Sequence, residues 1–127
     1  MRTAYLDVDG DWGIVVVYDY DYSENYELAA IMDTFKMSRS SIKKALNVLS
    51  EPNTGMSVSR EDVRMSVVFI SKATYESQFW DTASHELAHC VTHIIDYYGV
   101  GYDTEEAAYL TGYLMRKLVE EIGEPCY

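Results

Sequence analysis

Apolar residues recur along this chain at two spacings, and the changes between them mark out the elements. From Gly13 to Tyr22 the period is two. Ile14, Val16, Tyr18, Tyr20 and Tyr22 share one face and Val15, Val17, Asp19 and Asp21 the other, as in a strand. Thr3 to Asp7 reads as its partner, joined through the turn-forming Asp9-Gly10-Asp11. Tyrosines on alternate positions read as a packed sheet face. The pattern then becomes helical. Ser23 caps a predicted helix to about Lys36, buried through Leu28, Ile31, Met32 and Phe35. Ser40 caps a second, to about Leu49, with Ile42, Ala45, Leu46 and Leu49 inward.

Pro52 to Gly55 is a turn, Met56 to Ser59 a short strand, and Ser59 to Asp62 the next connection. Arg64 to Ser71 carries the strongest strand signal. Its continuous run Val67-Val68-Phe69-Ile70 is expected of a strand buried on both faces. Thr74 caps a long helix to Tyr98, which Gly99 ends as a left-handed terminator. Asp103 caps the last helix, Thr104 to Ile122, with Glu106 completing a capping box and Ala107, Leu110, Leu114 and Leu118 inward. No repeat or low-complexity linker interrupts the chain, so residues 1–127 are read as one domain. Residues 1–72 hold the hairpin, two helices and strands, and residues 73–127 a helix pair. The fold class expected is α+β, a small, mainly antiparallel sheet packed with helices.

The long helix carries the chemistry. At 100° per residue, Ala83, Leu87, Cys90, Val91, Ile94 and Tyr98 fall on one apolar side. Gln78, His85, His89, His93 and Asp96 fall opposite, and they include all three histidines of the chain. In Ser84-His85-Glu86-Leu87-Ala88-His89, two histidines four apart stand one turn above each other, so both imidazoles can reach one metal ion. Glu86 projects beside that ion, where it can take a proton from a metal-bound water.

Two histidines do not hold zinc alone; a catalytic site uses three protein ligands and leaves one position for water. The following helix opens with Glu105-Glu106. On its wheel Glu105 lies beside the small Ala108 and Gly112, which favours it; Glu106, beside Tyr113 and Lys117, is the alternative. His93 is too far along a straight helix to join both other histidines, since the three spread over about 12 Å. Tyr109, Tyr113 and His93 are candidates to stabilise an oxyanion, and Asp96 to orient a ligand histidine.

The run HELAH followed by a glutamate on a second helix resembles the gluzincin type of zincin metallopeptidase. The stretch FWDTASHELAHCVTHIIDYYGV, with TEEAAYLTGYL after it, is similar to small zincin-like proteins of phages and prophages, over roughly residues 65 to 120. The resemblance implies Zn2+ held by His85, His89 and Glu105, with Glu86 as general base hydrolysing peptide bonds. It also implies that Arg64 to Ser71, or its neighbouring strand, runs along the cleft and pairs with extended substrate. Typical zincin peptidases add a subdomain that walls the cleft; this chain is close to the minimum core.

Charge narrows the partners. The formal net charge of −11 repels phosphate backbones and makes nucleic acid an unfavourable partner. Against that, Lys36, Arg39, Lys43 and Lys44 cluster around the turn of a helix pair with some look of a helix-turn-helix, which keeps DNA binding as a rival reading. A catalytically silent zincin-fold binding module is the other rival. Asp7-Val8-Asp9-Gly10-Asp11 begins like a calcium loop, but Trp12 stands where that loop needs glycine and Tyr18 where it needs glutamate. No apolar run is long enough to span a bilayer, and the first residues lack a secretory signal, so the expected location is cytoplasmic. Cys90 is expected as a buried free thiol and Cys126 as an exposed one without a role.

Overall fold

Four strands and four helices make up the computed structural model, which describes residues 1–101 and 103–125 and only the backbone of Tyr22. β1 (Arg2–Val8) and β2 (Trp12–Tyr18) form an antiparallel hairpin in register from Arg2↔Tyr18 to Val8↔Trp12. Its turn needs left-handed backbone at Asp9 (φ 53°) and Gly10 (φ 70°), and Gly10 N–H donates to Asp7 Oδ2 at 2.8 Å. β2 stops at Tyr18 instead of continuing to Tyr22, because Asp19 also turns left-handed, at φ 53°. The alternation is broken there. Tyr18 enters one hydrophobic layer and Tyr20 the other, so the tyrosines do not share a face. The side chain of Tyr22 lies outside the described residues.

α1 (Asn25–Thr34) and α2 (Arg39–Leu49) follow. Ser38, two residues before the expected Ser40, caps α2 by accepting the Ser41 N–H at 3.2 Å. Ser23 bonds Asp21 instead of capping α1. β3 (Gly55–Arg60) and β4 (Met65–Ile70) complete a sheet of order β1-β2-β4-β3. The outer pairings are antiparallel, while β2 and β4 run parallel from Gly13↔Met65 to Val17↔Phe69. The fold is α+β as expected, and the sheet is mixed: two of its three pairings are antiparallel, and the parallel β2–β4 pairing is what the sequence reading lacked. A parallel neighbour needs a long crossover, and here α1, α2 and β3 all lie between β2 and β4.

α3 (Glu76–Tyr98) and α4 (Glu105–Ile122) cover one face of the sheet. There Leu6, Ile14, Val16, Val68 and Ile70 pack with Phe79, Leu87, Ile94, Leu114 and Leu118. On the other face Val17, Val67 and Phe69 meet Leu28, Met32, Ala45 and Leu49. The β4 run is buried on both sides, as its unbroken apolar pattern requires. α3 lies over β3 and β4, and α4 over β1.

Tyr75 precedes α3 without a side-chain cap, and the Thr74 hydroxyl instead accepts from the Asn53 side-chain amide at 3.3 Å. At the other end Gly99 (φ 73°) turns the chain, and Val100 N–H donates to the Ile95 carbonyl at 2.9 Å. Thr104, not Asp103, caps α4 through the Ala107 N–H at 3.4 Å. The end of α3 is tied to the β1–β2 turn. Tyr98 hydroxyl donates to the Asp11 carboxylate, Arg64 pairs with Asp11 at 3.0 Å, and Tyr97 meets Trp12 edge-on. No helix among the described residues is long and apolar enough to cross a membrane.

Candidate functional site

α3 presents three surfaces between its neighbours. Its core side is apolar. Its β3 side carries Thr82, Glu86 and His93, and its outward side carries His85 and His89, both exposed. The outward rings converge: His85 Nε2 and His89 Nε2 are 3.2 Å apart. Two nitrogens bound at about 2.0–2.1 Å to one tetrahedral zinc are about 3.3 Å apart, so the pair fits a shared ion. The same separation also serves a hydrogen bond between neutral rings.

Glu86 is different in kind. Its side chain is only 6% exposed, its Oε2 has no hydrogen-bond partner, and its Oε1 stands 4.0 Å from His85 Nε2. A buried carboxylate oxygen without a partner is costly, and such orphans are rare in folded proteins. The first residue of β3 confines it. A methyl group added to Gly55 would come 2.7 Å from Glu86 Cγ and 2.8 Å from Thr82 Cγ2. Glycine at this position lets the strand cross the helix at Glu86.

A shallow groove runs between β3 and α3 on either side of that crossing. One end, about 370 Å³, is lined by Thr54, Gly55, Asp81, Thr82, His85 and Glu86 among others. The other, about 310 Å³, is lined by Gly55, Met56, Ser57, Glu86, His89 and His93. Glu86 and Gly55 belong to both. β3 is an edge strand, with β4 its only sheet partner among the described residues, so its second backbone edge is open along the groove. β4 itself is paired on both sides and has no edge to offer.

The remaining sequence candidates are not gathered here. Glu105 and Glu106 are exposed in the first turn of α4, which starts beside the last turn of α3. Deeper in the helix pair, Ala107, Ala108 and Thr111 face Ala88, Val91, Thr92 and Ile95. Among the described residues no group of three His, Cys, Asp or Glu side chains is placed to hold one metal ion. Asp96 is exposed seven residues beyond His89, roughly 10 Å along the helix. Tyr109 is exposed, and Tyr113 lines a pocket with Tyr5, Asp7, Lys117 and Glu121, on the β1 side of the sheet. Lys36, Arg39, Lys43 and Lys44 are all exposed, while Ala45 and Leu49 of α2 are spent covering the sheet.

Three participants had no sequence reading as site residues. Asp81 and Gly55 line the groove, and Ser59, read as the last residue of a short strand and the first of a connection, lies in β3 and contacts His93. Only Gly55, the last residue of the turn read from Pro52, was a visible signal. Cys90 is buried as expected; burial pushes its thiol up to about 12, so it stays protonated at neutral pH. Cys126 lies outside the described residues. No protein-family model, curated protein or solved structure matches the chain.

Proposed function

We propose that this chain is a minimal zincin-like zinc metallopeptidase, with His85 and His89 as zinc ligands and Glu86 as general base. The observation that carries the reading is the buried, unpartnered Glu86 carboxylate oxygen next to two convergent imidazole nitrogens. A structural glutamate at this depth would be expected to have a partner. A zinc ion held by the two histidines would supply Lewis-acid polarisation of a carbonyl and a water made acidic near neutral pH.

The chain's own residues account for the other steps. Glu86 takes a proton from the attacking water while the water oxygen bonds to the scissile carbonyl carbon. The same carboxyl then gives that proton to the amide nitrogen as the C–N bond breaks. Its burial keeps bulk water away from the transferred proton. The open edge of β3 offers backbone N–H and C=O groups to an extended peptide lying in the groove, so affinity comes from main chain and the cut is not tied to one side chain.

The test is zinc titration followed by digestion of a broad peptide library. We expect one zinc per chain, lost in His85→Ala, and cleavage abolished in Glu86→Gln although that variant still binds zinc. No zinc binding by the wild type would overturn the reading. Zinc binding without cleavage by the wild type would turn it into that of a silent zincin-fold module. The same titration on Glu105→Gln and Glu106→Gln decides the third ligand: a loss of affinity of about tenfold or more marks the carboxylate that takes part.

A further inference from the structure

A line of four side chains connects the core to the groove. Trp12 Nε1 is 3.0 Å from Ser66 Oγ, Ser66 Oγ is 2.7 Å from Ser59 Oγ, and Ser59 Oγ is 2.7 Å from His93 Nδ1. Trp12 and Ser66 are fully buried, so water does not compete at the inner end. Chemistry gives the line a direction. An indole N–H can only donate, so Ser66 accepts from Trp12. The proton of Ser66 has two acceptors in reach, Ser59 Oγ and the Cys90 sulfur, and a hydroxyl oxygen is the stronger of the two. Ser59 therefore accepts from Ser66 and spends its own proton on His93 Nδ1. A neutral imidazole that accepts at Nδ1 carries its proton on Nε2. That nitrogen is on the ring edge away from Ser59, and the ring lines the groove with Glu86 and His89.

We infer that Trp12, Ser66 and Ser59 fix His93 as a neutral Nε2–H donor aimed into the groove, where it binds the carbonyl oxygen of a peptide substrate as negative charge develops there. The substrate part rests on the peptidase reading above; the tautomer does not. Ser59 and Ser66 are positioning residues, because they act only through His93. The arrangement costs no reorganisation during reaction, since the donor is already oriented by a buried anchor.

Two measurements test it. The first is nitrogen-15 spectroscopy of the imidazoles in the full chain at about pH 8, where an ordinary histidine is neutral. We expect the His93 proton on Nε2, and finding it on Nδ1 overturns the inference without any variant. The second is kinetic, with the zinc-loaded protein and a peptide library. Ser59→Ala is expected to lower kcat about tenfold with KM nearly unchanged, Ser59→Thr to restore most of it, and His93→Phe to lose about a hundredfold. Full kcat in Ser59→Ala and His93→Phe, with Glu86→Gln inactive, overturns the inference and leaves the peptidase reading standing. Undiminished cleavage in Glu86→Gln overturns that reading and the carbonyl-binding role with it, while the tautomer is judged on the spectrum alone.

Discussion

Glu86 and Gly55 form the closest approach between the edge strand and α3, and each limits the other. The strand leaves no room for a Cβ at Gly55, whose nearest neighbours would be a methylene and a methyl on the helix. Gly55→Ala must therefore push Glu86 and Thr82 aside or lift the strand. We expect a loss of about 1–3 kcal/mol in urea unfolding, the usual range for overpacking. Stability equal to wild type would mean that Glu86 moves freely, which its burial argues against. At this scale the histidine pair was legible in sequence, because a four-residue spacing on a helix dictates where rings can meet. The Ser59–His93 contact was not. A hydroxyl and an imidazole joined across 34 positions follow no period, and Ser59 sits where the strand signal was fading.

Elements were legible in proportion to the strength of their patterns. The run Val67 to Ile70 forecast an interior strand, and the long amphipathic stretch with a terminal glycine forecast α3 to its last residue. Strand direction left no such mark. An alternating or continuous apolar pattern reads the same in parallel and antiparallel neighbours, so the β2–β4 pairing had to come from the structure. Caps were displaced by one or two residues, and at Thr74 a competing partner, the Asn53 amide, engages the hydroxyl. Gly99 allows a clean test of one terminator. Nothing lies within 4 Å of a Cβ built there, so the cost of Gly99→Ala is purely that of left-handed backbone. We expect about 1–2 kcal/mol from urea melts, with no change in the histidine spectra.

Across the whole molecule, alkaline pH should be the destabilising direction. Three groups hold their protons more tightly folded than unfolded. Burial pushes Cys90 up to about 12 and also raises Tyr20, while the hydrogen bond to Asp11 lifts Tyr98 to about 12. A raised folded value means the unfolded chain loses the proton first. The contribution of each group is thus complete below its unfolded value and is lost as pH climbs through the folded one. Urea-derived stability should fall steadily from about pH 9 to pH 12. Cys90→Ala should make that slope shallower while lowering stability at neutral pH, because it also removes buried volume. A flat profile across this window would contradict the buried thiol. The alkaline trend is added to the self-repulsion of a chain with net charge −11.

The strand order carries a kinetic consequence. β3 pairs locally with β4, but β4 must also find β2 across the whole length of α1, α2 and β3. Pairings of such large sequence separation come late and slow folding, since loop-closure entropy is spent before the contact repays it. The β3–β4 hairpin that walls the groove is local and closes early, so the late event is its docking onto β2, while the helix carrying the histidines can coil on its own far sooner.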